Sequence, residues 1–88
     1  MTNEDLIIQC KIGLNISLSS TAFNGILSQK ILTVKGFMQG AGVSAESFES
    51  ELAVGVIVMG VGDLWNVKSG EIKFSPVFHT LLTQLAMR

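Results

Sequence analysis

The run LAVGVIVMGVG, Leu52 to Gly62, decides the fold, because it reads either as a helix or as a strand. Val54, Val56, Ile57, Val58 and Val61 are β-branched and favour an extended chain. Against that, the polar lead-in SAESFESE has Ser44 as a possible N-cap and acids for the first turns, and no turn signal interrupts the run. As a helix it places Leu52, Val56, Met59 and Asp63 on one side and Val54, Val58, Val61 and Trp65 on another. The length and lead-in fit one continuous helix better than one strand, and the helical reading is preferred. Between Leu52 and Gly62 such a helix has no polar face, so nearly every side must be enclosed. An 88-residue chain has few elements to do this. Part of the cover is therefore expected from another copy or another protein, with Gly55 and Gly62 as points of close approach.

Working outward, the composition suits one small domain over residues 1–88 that buries much apolar surface. It is 48% hydrophobic and 15% charged, against roughly 25% charge in ordinary soluble domains. The formal net charge is −1, and the six cations, Lys11, Lys30, Lys35, Lys68, Lys73 and Arg88, form no cluster. A dedicated nucleic-acid binder needs a dense positive footprint, so that class is disfavoured. The one cysteine excludes an internal disulfide. The acidic N-terminus does not read as a signal peptide, and the central apolar run reads as too short to cross a bilayer.

Upstream, Thr2 or Asn3 can cap a first helix in which Leu6, Cys10 and Leu14 recur every four residues. Gly13 weakens its end, and Ser19 or Ser20 can open the next element. In the second segment Phe23, Leu27, Ile31, Val34, Met38 and Ala41 form an apolar stripe, with Asn24, Ser28 and Lys35 opposite. Gly40 and Gly42 can end it, and Gly25 and Gly36 offer possible close packing. Downstream, NVKSGEIKF reads as an extended or hairpin excursion about Ser69 and Gly70, anchored by Val67, Ile72 and Phe74. Ser75 then caps a last helix with Pro76 in its first turn. Phe78, Leu81, Leu82 and Leu85 supply its apolar side. The expected fold is mostly α: a compact bundle of about four helices with a short extended or β-hairpin excursion before the last.

Chemistry is sparse. Cys10 and His79 are the sole thiol and imidazole, so no Cys/His metal set can be assembled within one chain. Cys10 falls in an apolar stripe and reads as structural. His79 has no acid beside it in sequence and reads as an edge residue. No serine sits in a nucleophile elbow, and the glycines of GVIVMGVG lack the lysine of a phosphate loop. Asp63 reads as a hydrogen-bond partner of the following loop or a charge partner of Lys68 or Lys73, with an intersubunit contact as the alternative. Trp65 reads as an intramolecular anchor or an interface aromatic. No catalytic residue, metal or cofactor is expected.

Gly55 to Leu85, GVIVMGVGDLWNVKSGEIKFSPVFHTLLTQL, resembles the small head-completion or adaptor proteins at the head–tail connector of tailed bacteriophages. Its landmarks are Asp63-Leu64-Trp65-Asn66, Ser69-Gly70, Phe74-Ser75-Pro76 and Gln84-Leu85; NEDLIIQCKIGLN and AGVS extend it weakly upstream. The resemblance implies a mostly helical, non-enzymatic subunit that forms a ring beneath the portal at the capsid vertex. Its implied partners are the portal protein, a neighbouring connector or tail-completion protein, and copies of itself. DNA would pass through the channel without sequence-specific binding, and no membrane is involved. The implied location is the host bacterial cytoplasm during assembly and then the virion head–tail junction. By the same resemblance Asp63, Trp65 and Asn66 mark the exit of the third helix, and Phe74 to Phe78 the start of the last. The glycine-rich third helix and the early end at Arg88 depart from some relatives.

The expected interaction residues are thus Val56, Met59, Asp63, Trp65, Asn66, Phe74 and Phe78. The competing readings are a prophage-derived interaction or regulatory module that binds one soluble partner without a ring, and a small DNA-binding regulator.

Overall fold

The computed structural model describes residues 2–65 and 73–87. Four helices follow in order: α1, Asn3–Leu14; α2, Asn24–Gly40; α3, Glu51–Trp65; and α4, Pro76–Ala86, with a 3-10 turn at Ser47–Glu49 before α3. No strand occurs among the described residues. The LAVGVIVMGVG run is helical, and the fold is a small helical bundle. The expected excursion falls mostly on residues 66–72, outside those described; Lys73, Phe74 and Ser75 carry no regular secondary structure.

Local chemistry sets the helix ends. Thr2 and Asp5 form a reciprocal capping box on α1: the Asp5 N–H donates to Thr2 Oγ1 and the Thr2 N–H to Asp5 Oδ2, both at 3.1 Å. Asn15 ends α1 in the left-handed region, with φ 59°. Gly42, at φ +98°, turns the chain after α2, and the Val43 N–H closes back on Met38 O. Two sequence readings are corrected here. Neither Ser19 nor Ser20 caps α2, whose N-cap position is Phe23 with no side-chain bond. Ser44 receives the Ser47 N–H at the 3-10 turn, and α3 starts later, where Ser50 Oγ receives the Ala53 N–H at 3.2 Å. Two serine caps spaced six apart split the lead-in into a turn and a helix.

α3 is the central element, packed by α1, α2 and α4. Ala53, Val56, Ile57, Gly60, Val61 and Leu64 are buried; Leu52, Val54, Val58, Met59 and Gly62 are half-buried. Only Gly55 and the leading Glu51 are exposed. The chain therefore encloses most of this helix itself, and the part left for a second molecule to cover is confined to Gly55 and the half-buried positions. The reason lies in two glycines. A Cβ on Gly13 would stand 2.7 Å from Val58 Cγ1, and one on Gly60 2.7 Å from Phe78 Cε1 and 2.9 Å from Val34 Cγ1. Their bare backbones let α1, α2 and α4 close onto α3. Gly25, Gly36, Gly55 and Gly62, the positions expected to admit a neighbour, have nothing within 4 Å of a built Cβ.

The rest of the core follows the apolar stripes. Leu6 and Cys10 of α1, Leu27, Ile31, Val34 and Met38 of α2, and Phe78, Leu82 and Leu85 of α4 are buried around α3. Phe23 and Ala41, at the ends of the α2 stripe, are exposed. Polar ties finish the assembly. Lys11, 4% exposed, donates from Nζ to Ser20 O at 2.6 Å and pins the loop that follows α1. Lys30 Nζ donates to Leu64 O at 3.3 Å, on the last turn of α3. Asn3 Nδ2 donates to Ser28 Oγ at 3.1 Å, joining α1 to α2.

Candidate functional site

The expected interaction residues divide by depth. Val56 and Phe78 are fully buried, so neither can touch a partner; both are core residues, and their place among contact residues is corrected. Met59 is half-buried on α3. Asn66 lies outside the described residues. Asp63 is half-buried, and its Oδ2 accepts the Ser75 N–H at 2.9 Å. That bond sets the carboxylate at the start of α4, where a negative charge is favoured by the helix dipole. Asp63 is thus a tie between two helices.

Trp65 and Phe74 lie at the rim of the core. The Trp65 ring meets Phe23 edge-on, with centroids 5.6 Å apart. Phe74 stacks on Phe78 at 4.2 Å and lies 4.8 Å from Phe37. His79 is exposed, and its imidazole stands edge-on to Phe37, Phe74 and Phe78 at 5.8 to 6.2 Å. These rings carry α4 across to α2. Offset and edge contacts of this kind add about 0.5–1.5 kcal/mol each beyond simple burial.

What the sequence reading missed is the outward side of α2. Asn24, Ser28 and Lys35, placed there by the stripe, are half-buried flanks. Ile26, Gln29, Leu32, Thr33, Gly36 and Phe37 are exposed instead. Leu32 is 66% and Ile26 47% exposed, and no exposed residue of α2 carries a charge. An uncharged helix face with protruding aliphatic groups is unlike an ordinary solvated face, and such surfaces mark association sites. The available signal was the sequence of α2 itself, where Lys30 and Lys35 are the only charges and both lie off the centre of that face. Other exposed apolar side chains are Ile8 and Ile12 on α1 and Val77 on α4.

Two of the concave surfaces among the described residues are chemically plain. A groove of about 460 Å³ between α2 and α4 is lined by Phe37, Ala41, His79, Leu82, Thr83 and Met87, among others. It holds one imidazole and one hydroxyl among apolar groups. A second depression of about 240 Å³ has Leu6, Phe48 and Ile57 with Lys35, Gln39 and Glu49 around it. Neither brings together a nucleophile with a base and its orienting partner. Burial pushes the Cys10 thiol up to about 11, so at neutral pH it is a protonated core group. Among the described residues no group of three or more His, Cys, Asp or Glu is placed to hold a metal, and no helix is long and apolar enough to cross a membrane.

Compared with protein-family models, curated proteins and solved structures, the chain finds no match in any of the three.

Proposed function

We propose that this protein is a structural adaptor that works by docking, and that it joins a phage head to its tail components as a ring subunit at the portal vertex. The observation that carries the docking role is the uncharged outer face of α2, with Ile26, Leu32 and Phe37 held exposed on a helix whose opposite side is locked into the core. The ring and the portal come from the resemblance of Gly55 to Leu85 to head-completion proteins. A bundle suits that task, because the contact side chains of α2 are positioned by its packing before any partner arrives.

The cations fit a channel that DNA traverses without being gripped. Lys11 is buried on the Ser20 carbonyl and Lys30 is engaged with the Leu64 carbonyl, which removes two of the six from any phosphate-binding footprint. A subunit with few free cations leaves passing DNA mobile. In this account α3 sits at the centre of the subunit, and the exposed face of α2 makes the contacts.

Copurification with the portal protein of the same phage or prophage, followed by electron microscopy, tests this reading. A ring stacked end-on upon the portal at fixed stoichiometry is the expected image. Capture of one soluble partner without a ring would favour an interaction module instead, and tight, salt-sensitive duplex binding a DNA regulator; either result removes the connector assignment.

A further inference from the structure

We infer that α4 is a strap that opens from the bundle independently of the α1–α2–α3 core. This device goes beyond the adaptor reading and does not depend on it.

The argument starts with how the helices share contacts. α1 packs on both α2 and α3, and α2 packs on both α1 and α3, so the three brace one another. α4 packs chiefly on α3, and it meets α2 through the Phe78 and His79 rings on Phe37, beside a groove between the two helices. Lifting α4 away leaves the mutual packing of α1, α2 and α3 intact, whereas lifting any of those three breaks at least two packed faces. Stability then divides along that line, as small proteins commonly open in contiguous units.

The attachments of α4 are identifiable, and the contacts of the Phe78 and His79 rings with Phe37 and Phe74 are among them. Phe78, Leu82 and Leu85 are its buried side chains. The Asp63 carboxylate holds the Ser75 N–H from α3, and Ser75 Oγ receives the Phe78 N–H at 3.2 Å, so tie and cap meet at one residue. Phe78 rests on Gly60, where a Cβ would stand 2.7 Å from its ring and 2.9 Å from Val34. An opened α4 uncovers a slot with the Gly60 backbone as its floor and Val34 as one wall, cut to admit an aromatic ring.

Amide hydrogen exchange on the full chain over a range of urea concentrations tests this. The Leu82 and Leu85 amides should exchange at least about tenfold faster than the slowest amides of α2 and α3, with a weaker urea dependence that marks sub-global opening. Asp63→Ala should speed the α4 amides further and leave the ratio among α1, α2 and α3 amides unchanged. Ser75→Ala serves as a second lever, because it removes the cap and keeps the Asp63 carboxylate. The inference is overturned if the slowest α4 amides exchange at the global rate with the global urea dependence in the wild-type protein. It is equally overturned if Asp63→Ala and Ser75→Ala lower the global unfolding free energy and leave the exchange of the α4 amides unchanged.

Discussion

Asp63 Oδ2 and the Ser75 N–H meet at 2.9 Å across twelve residues of sequence, joining the last turn of α3 to the N-cap of α4. At the end of its own helix this carboxylate has no favourable dipole, and at the start of the next it has one. A hydrogen bond to a charged group contributes about 1.5–3 kcal/mol when well sheltered, and less when water reaches it. Asp63→Ala should therefore lower unfolding free energy by about 1–2 kcal/mol in urea titrations. Asp63→Asn keeps an acceptor and should lose only about half as much. Equal losses for the two would mean that the charge, and not the hydrogen bond, carries the tie.

The glycines separate into two kinds, and alanine distinguishes them. Gly60→Ala pushes a methyl into Phe78 and Val34, and Gly13→Ala pushes one into Val58. Overpacking of this sort costs about 1–3 kcal/mol. Gly36→Ala and Gly55→Ala enter open space on exposed helix faces and should stabilise by about 0.5–1 kcal/mol. Thermal melts of the four variants read this directly, and destabilisation by Gly36→Ala or Gly55→Ala would contradict the helix placement.

Lys11 uses its apolar stem to fill space beside Cys10 and Leu6 on the inner side of α1, and its ammonium to hold Ser20 O. Lys11→Met keeps the stem and removes the bond, so a loss of about 1 kcal/mol is expected. Lys11→Ala removes both and should cost at least twice that. Similar melts for Met and wild type would show that the Ser20 contact adds nothing to the packing.

Cys10 gives a pH signature. Its thiol is pushed from an ordinary value of 9.0 up to about 11 by burial, so the folded chain keeps a proton that the unfolded chain gives up. The unfolded state binds fewer protons between those values, and stability must fall as pH rises from about 9 to about 11. Cys10→Ala lacks this loss, so the stability gap between variant and wild type should move in favour of Ala across that window. The same burial makes the native thiol slow toward maleimide or disulfide reagents at neutral pH, with full reactivity only after unfolding. Rapid native labelling would contradict a core position.

The bundle was largely legible from spacing. The stripes Leu6–Cys10, Leu27–Ile31–Val34–Met38 and Phe78–Leu82–Leu85 are core as the helical period requires, and Thr2, Ser75 and Gly42 act where capping chemistry puts them. The helical state of Leu52–Gly62 was also readable, despite its valines, from the capped polar lead-in. Its cover was not. Burial depends on which glycines fall at crossings, and sequence gives no sign that Gly60 and Gly13 do so while Gly55 and Gly62 do not. The hydrogen bond of Asp63 to the loop that follows was readable, and only its partner, the Ser75 N–H, was not. The apolar outer face of α2 escaped for a simpler reason: an inner stripe of core residues draws attention from the aliphatic groups on the far side.

The decisive measurement compares portal association of wild-type protein with Leu32→Glu and Ile26→Glu, by sedimentation velocity against isolated portal rings. Both substitutions lie on exposed turns of α2 and should shift folding stability by no more than about 0.5 kcal/mol. The account predicts native circular dichroism with association weakened at least about tenfold, since a buried charge on an apolar contact costs well over 1.4 kcal/mol. Wild-type binding by both folded variants would contradict it.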